Sequence, residues 1–177
     1  MNTDFSKNHF ALFGLPVAFE LNARSLDQTW RELQREVHPD RFANASDAEQ
    51  RLAAQWATRV NEAYRTLKSP INRARYLLQL EGVDTGEETD TQMPVDFLMQ
   101  QMEWREAVEA ARARSDQDKL VALAHEERTA RRTLVENLSA QLGVARAFAD
   151  ARVTVRKLRF IDKLAEEIDL AHEDLEA

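Results

Sequence analysis

Four prolines and four glycines are all the punctuation that 177 residues receive. A β-sandwich needs many tight turns, so this scarcity points to long helices. The apolar spacing agrees. Leu26, Trp30, Leu33 and Val37 recur at i, i+4, i+7 and i+11, a single stripe on a helix that Asn22 or Ser25 would cap. Pro39 ends that helix, because a proline disfavours helical geometry at the residue before it and supplies no N–H. Ser46 to Glu49 reads as a capping box, and Leu52, Trp56, Val60, Ala63 and Leu67 form the inner face of the helix it opens. Pro70 sits at the first position of the next helix, with Ile71, Ala74 and Leu78 inward. A short N-terminal element contributes Phe10, Leu12, Phe13 and Leu15.

The segment EGVDTGEETDTQMP, residues 81–94, breaks the pattern. It holds two of the four glycines, several acids and threonines, and a closing proline, which is linker composition. The expected organisation is therefore a domain over 1–82, a linker over 83–93 and a second domain over 94–177. Three long helices are expected after the linker, at about 95–114, 116–142 (Leu120, Leu123, Leu134 and Leu138 inward, Gly143 as the stop) and from about 145 onward. Short loops between long helices favour an antiparallel three-helix bundle. Charge divides the same way. Residues 1–75 carry eleven Lys/Arg and nine Asp/Glu, whereas residues 76–177 carry thirteen and twenty-two. An acidic second half argues against nucleic acid as the main partner.

Other chemistries drop out by residue type. The chain has no cysteine, which removes disulfides, thiolate nucleophiles and cysteine-ligated metals. His9, His125 and His172 stand alone in sequence, so no metal and no cofactor is expected. No apolar run is long enough to span a membrane and no secretory signal is legible, so a cytoplasmic location is expected.

The stretch REVHPDRFAN, residues 35–44, carries the most specific signal. His38 and Asp40 could be a base and its orienting acid, but residues flanking a proline in a wet loop splay apart, and acid–base catalysis wants tuned groups in a water-poor pocket. No catalytic residues are expected. As a bare tripeptide it is a helix-ending turn. Its surroundings change the reading. An Arg-bearing helix, then His-Pro-Asp, then a longer apolar-faced helix, with FGLP upstream and VNEAYRTL and SPINRARYLL downstream, resembles the J-domain of DnaJ-type co-chaperones. The motifs DFLMQQMEWREAVEAA and RKLRFIDKLAEEI make the whole chain similar to the HscB family, the J-domain co-chaperones of iron–sulfur cluster assembly. The resemblance implies an all-α fold in which a J-domain, an antiparallel helical hairpin with the HPD loop at its tip, is joined to a C-terminal three-helix bundle. It also implies two partners: a DnaK-type chaperone, HscA, whose ATPase is stimulated, and a cluster scaffold protein, IscU, which is delivered to it. Chaperone docking would then use His38, Pro39 and Asp40 with Arg31, Arg35 and Arg41. Arg41 stands where many relatives carry lysine, and Val37 where an aromatic commonly precedes the histidine. A J-protein serving a different client, or a His/Asp hydrolase, are the alternatives at this point.

Periodicity supplies a second candidate surface. Phe97, Trp104, Val108 and Ala111 make one inward stripe, whereas Leu98, Met99 and Met102, with Glu103 and Glu106, cover a separate sector. In the last helix Ala151, Val155, Leu158, Ile161, Ala165 and Ile168 form the core stripe, and Phe160 falls about 200° from Leu158, off that stripe. From spacing alone, partner binding and interdomain packing are equally served by such residues. The family resemblance assigns Leu98, Met99, Met102, Glu103, Glu106, Arg159 and Phe160 to scaffold contact.

Overall fold

The computed structural model describes residues 4–86 and 93–176, and among these the regular structure is entirely helical. Helix α1 is His9–Leu12, α2 Ala23–Val37, α3 Asp47–Lys68 and α4 Pro70–Leu80. A 3₁₀ turn, Pro39–Phe42, lies between α2 and α3. Helices α5 (Val95–Ala113), α6 (Gln117–Leu142) and α7 (Phe148–Glu176) follow. Packing divides the chain into two compact units, Met1–Leu77 and Leu78–Ala177. The composition boundary at 82/83 lies a few residues further on. The last turn of α4 and the residues after it join the second unit, where Glu81 accepts from Arg146 and the Thr85 carbonyl accepts from Arg152. Most of the expected linker, residues 87–92, lies outside the described residues.

In the first unit, local chemistry sets each helix end. Asn22 caps α2 by accepting from the N–H groups of Arg24 and Ser25. Ser46 and Glu49 form the reciprocal capping box at the start of α3. Helices α2 and α3 pair as a hairpin held by polar contacts as well as burial. Asn61 accepts from the Trp30 indole and from Gln34, the Trp30 and Tyr64 rings stack at 4.7 Å, and Asp27 receives Tyr64 and Lys68. Lys68 and Tyr64 hold the Asp27 carboxyl below its ordinary range. Phe10, Phe13 and Phe19 close the core from the N-terminal side, and Arg73 lies over the Phe19 ring. The inner line of α3 differs from the sequence expectation at one end: Ala53 is buried, whereas Leu52 is 39% exposed. Ala53 lines an apolar cleft with Val37 and Phe42, where the loop comes close to α3 and a small side chain is what fits.

The second unit is a three-helix bundle. Its core gathers Phe97, Trp104 and Val108 from α5, Leu120 and Leu123 from α6, and Phe160, Ile161, Leu164 and Ile168 from α7. Helix α6 ends at Gly143, where an added Cβ would meet the Ser139 carbonyl oxygen at 2.8 Å. Helix α7 touches both α5 and α6, so its buried arc is wider than one stripe. Thr154, Phe160, Leu164 and Ala171 belong to it beside Ala151, Val155, Leu158, Ile161 and Ile168, whereas Ala165, which periodicity also places inward, is only half-buried.

Candidate functional site

Two exposed features stand out, one in each unit. In the first, His38 ends α2 with φ −59° and ψ 132°, the extended geometry that a following proline imposes. The chain re-enters helical geometry at once in the Pro39–Phe42 turn, whose Arg41 N–H donates to the His38 carbonyl at 3.0 Å. The His38 imidazole faces back into this turn. Its Nδ1 accepts the Asp40 backbone N–H at 3.3 Å and lies 3.5 Å from the Asp40 carboxylate. One nitrogen faces both the backbone N–H and the carboxylate of Asp40. The Asp40 side chain is 89% exposed. A carboxylate so placed makes little contribution to folding and is presented outward.

Arg41 Nη1 reaches the Arg35 carbonyl at 3.5 Å, placing a cation at the C-terminal end of α2, where the free carbonyls favour it. Arg31 and Arg35 are exposed one turn apart on α2. The fold therefore brings Arg35 and Arg41 to the loop and sets Arg31 next to them, around an acidic tip. The His38 and Asp40 side chains are both open to solvent, 58% and 89% exposed.

In the second unit, Leu98, Met99 and Met102 are 40%, 59% and 64% exposed on α5, with Glu103 and Glu106 exposed beside them. Val95, 71% exposed, extends this ridge by one turn. It stands three residues before Leu98 and seven before Met102, on the same side of the helix, a spacing that marks it as part of the ridge. Phe160 requires a correction. It is only 9% exposed and belongs to the bundle core, edge-on to Phe97 at 5.8 Å and stacked on Trp104 at 6.4 Å. The Arg105 guanidinium covers its ring at 5.4 Å. Angular distance from Leu158 misplaced Phe160 because α7 packs against two helices, and Phe160 is on the side that meets α5. Arg159, its neighbour, is half-buried.

Among the described residues no three His, Cys, Asp or Glu side chains are grouped to hold a metal ion. No described helix is long and apolar enough to cross a membrane.

Known proteins with the same organisation are found by sequence and by structure. Residues 93–169 match the family model described as the HSCB C-terminal oligomerisation domain. The chain is 54% identical over 175 residues to the co-chaperone protein HscB homolog of Chromobacterium violaceum, covering 99% of each chain. It is 52% identical to the homolog of Burkholderia cenocepacia, covering 96% of each. The structure of chaperone HscB from Vibrio cholerae superposes with a TM-score of 0.85 at 39% identity, over 96% of this chain and 99% of that one. Human co-chaperone HscB gives 0.88 at 29% identity, over 94% and 83%. An identity above half, sustained across both units, leaves one conclusion: the chain belongs to the HscB family of co-chaperones.

Proposed function

We propose that this co-chaperone works in iron–sulfur cluster biogenesis by stimulating the ATPase of a DnaK-type chaperone, HscA, and delivering the cluster scaffold IscU to it. The observation that carries the reading is the exposed Asp40 carboxylate at the tip of the α2–α3 hairpin, in a chain more than half identical to a named HscB homolog. In this mechanism Asp40 engages a basic group on the chaperone. His38 keeps the turn in shape through its contact with the Asp40 N–H, and Pro39 fixes the backbone that leads into it. Arg31, Arg35 and Arg41 steer the approach to an acidic face. The ridge of Leu98, Met99 and Met102 holds the scaffold, with Glu103 and Glu106 pairing at its rim, since exposed methionines adapt to a partner. Holding client and chaperone on one chain turns two encounters into one. The bundle is also where the matching family description places oligomerisation, and we carry that property over to residues 93–169 of this chain.

The test is a steady-state ATPase assay with purified HscA. Asp40→Asn should abolish stimulation while the circular dichroism spectrum and IscU binding are unchanged. Normal stimulation by this variant would remove the docking role. A chain that stimulates HscA but ignores IscU would retain the co-chaperone reading with another client.

A further inference from the structure

Beside the acidic tip of the α2–α3 hairpin, the loop after α2 meets α3 around an apolar cleft of about 250 Å³. Val37 and Ala53 are buried and form its floor, whereas Ala43 and Ala54 are exposed and form its mouth. Phe42, half-buried, walls the loop side. The cleft owes its room to α3, which presents only small side chains here: Ala53, Ala54 and Ala57 stand at i, i+1 and i+4 on one face. Gln50, one turn earlier, lies at the rim. Its amide donates to the Ala45 carbonyl at 3.1 Å and ties the end of the loop to the helix.

The chemistry of this lining selects the occupant. Among the described residues no charged side chain lines the cleft, and the one polar side chain, Gln50, already donates to the backbone. A polar group placed inside would give up water for little return. Water itself is held by two to four polar partners, more than this lining offers. An apolar group gains instead, by leaving water for contact with alanine, valine and phenylalanine. The volume falls below the roughly 300 Å³ at which small-molecule sites begin, and it suits one aliphatic side chain of leucine or methionine size.

Its position names the source of that side chain. Phe42 and Asp40 share the Pro39–Phe42 turn, so their backbones lie within about 7 Å of each other. A stable protein interface covers about 800 Å² on each partner, far more than that separation. A protein that meets the Asp40 carboxylate therefore also lies over Ala43 and Ala54. We propose that the cleft receives one aliphatic side chain of the DnaK-type chaperone, an apolar anchor beside the charged contacts of Asp40 and the arginines. This rests on the docking reading of the loop and adds a second kind of contact to it. Arg31, Arg35 and Arg41 are exposed, so their attraction acts at a distance and is screened by salt, whereas a buried anchor governs how long the partner stays. The cleft sets how tightly the chaperone is held, and Asp40 sets whether its ATPase responds.

Titrating the HscA ATPase with the full chain separates these two contributions. Ala54→Leu fills the mouth at an exposed helical position where leucine is well tolerated, and an unchanged denaturation midpoint would establish that the fold is intact. It should raise the co-chaperone concentration for half-maximal stimulation by at least about tenfold, as loss of a buried anchor does. Stimulation at saturation should stay parental, because Asp40 is untouched; Asp40→Asn should instead remove the plateau. Gln55→Leu adds the same bulk to an exposed neighbour outside the cleft and should change neither quantity. Parental half-saturation for Ala54→Leu overturns the proposal, and so does a Gln55→Leu effect of equal size. A lowered plateau at normal half-saturation would mean a distorted loop and overturns it as well. A change in the sedimentation mass of the free chain, with half-saturation unaltered, would give the cleft to a second copy instead. If the parent chain does not stimulate HscA, the docking reading fails and the anchor with it; a stimulating parent with an unaffected Ala54→Leu variant removes the anchor alone.

Discussion

Phe160→Ala separates folding from recognition on the bundle, and its magnitude follows from the packing. The side chain is 9% exposed, lies against Phe97 and Trp104, and has the Arg105 guanidinium over its ring. A buried Phe→Ala change costs about 3–5 kcal/mol, including the cavity left behind. Phe160 sits at the edge of the core, so neighbours such as Arg105 can settle into part of the space, and the expected loss is at the low end, about 3 kcal/mol. For a unit of this size that lowers the melting temperature by roughly 12–24 °C. Met99→Ala, at a position 59% exposed, should stay within about 0.5 kcal/mol of the parent. Trp30 and Trp56 belong to the first unit, so total fluorescence would mix the two transitions. Hydrogen exchange read peptide by peptide isolates α5 and α7 instead, with scaffold affinity measured at a temperature where both variants are folded. A Phe160→Ala bundle with parental protection would refute the core placement and return this ring to the exposed surface.

Three further outcomes are expected. Ser46→Ala removes one half of the capping box on α3 and should lower the stability of the first unit by about 1 kcal/mol in chemical denaturation, with the bundle unaffected. His9 is buried and stacked on Tyr76 at 4.2 Å with its Nδ1 unpartnered, and burial lowers its pKa below the ordinary 6.5, against the pull of Glu62. In the window between the lowered value and 6.5 the unfolded chain binds the extra proton, so first-unit stability should fall as pH drops below 6.5 and level off once the folded histidine also protonates. His9→Phe should flatten that slope in a pH series of denaturation midpoints. Glu127 is buried in the bundle, and burial raises its carboxyl above the ordinary 4.5, offset in part by Arg131 and Arg128. There the folded state binds the extra proton, so stability falls as pH rises through the raised value; Glu127→Gln should stabilise the bundle at neutral pH, with the gain vanishing below 4.5, and a neutral-pH loss would contradict this.

What the sequence made legible depended on how many neighbours a residue answers to. Capping residues answer to the next few backbone N–H groups alone, so Ser46 with Glu49, Pro39 and Pro70 all mark helix ends where the spacing put them. Helix α5 shows the next level. Phe97, Trp104, Val108 and Ala111 are buried as expected. The errors fall where a third element intrudes. Leu52 loses its inward place to Ala53 because the loop after α2 closes on α3 there. Glu127 occupies the gap between Leu123 and Leu134 on the inner line of α6, a position that no hydropathy count assigns to a carboxylate. The HPD loop was readable by motif and the Leu98–Met102 ridge by phase, but the cleft beside that loop requires α3 to be set against it, which no single-helix period contains.

Helix α5 divides its circumference between two tasks that make opposite demands. Its inner stripe must be rigid, and three aromatic rings lock it: Phe97, Trp104 and, from α7, Phe160. In the proposed scaffold-binding role its outer ridge must tolerate a partner's shape, and there the apolar residues are two methionines, a leucine and a valine exposed to solvent. Arg105 stands at the seam. Its guanidinium covers the Phe160 ring on the inner side and reaches Glu167, 3.8 Å away, on the outer side. Any ligand that settles on the ridge and draws Arg105 toward its own carboxylates uncovers part of Phe160. A buried ring can thereby take part in recognition without being a surface residue in the free protein, which reconciles its place in the core with the contact role that the family resemblance gives it. Arg105→Gln tests the coupling: it should leave the ridge intact yet raise the exposure of Phe160, measured as faster exchange along the α5–α7 seam, whereas unchanged protection would assign Arg105 to solvent rather than to the ring.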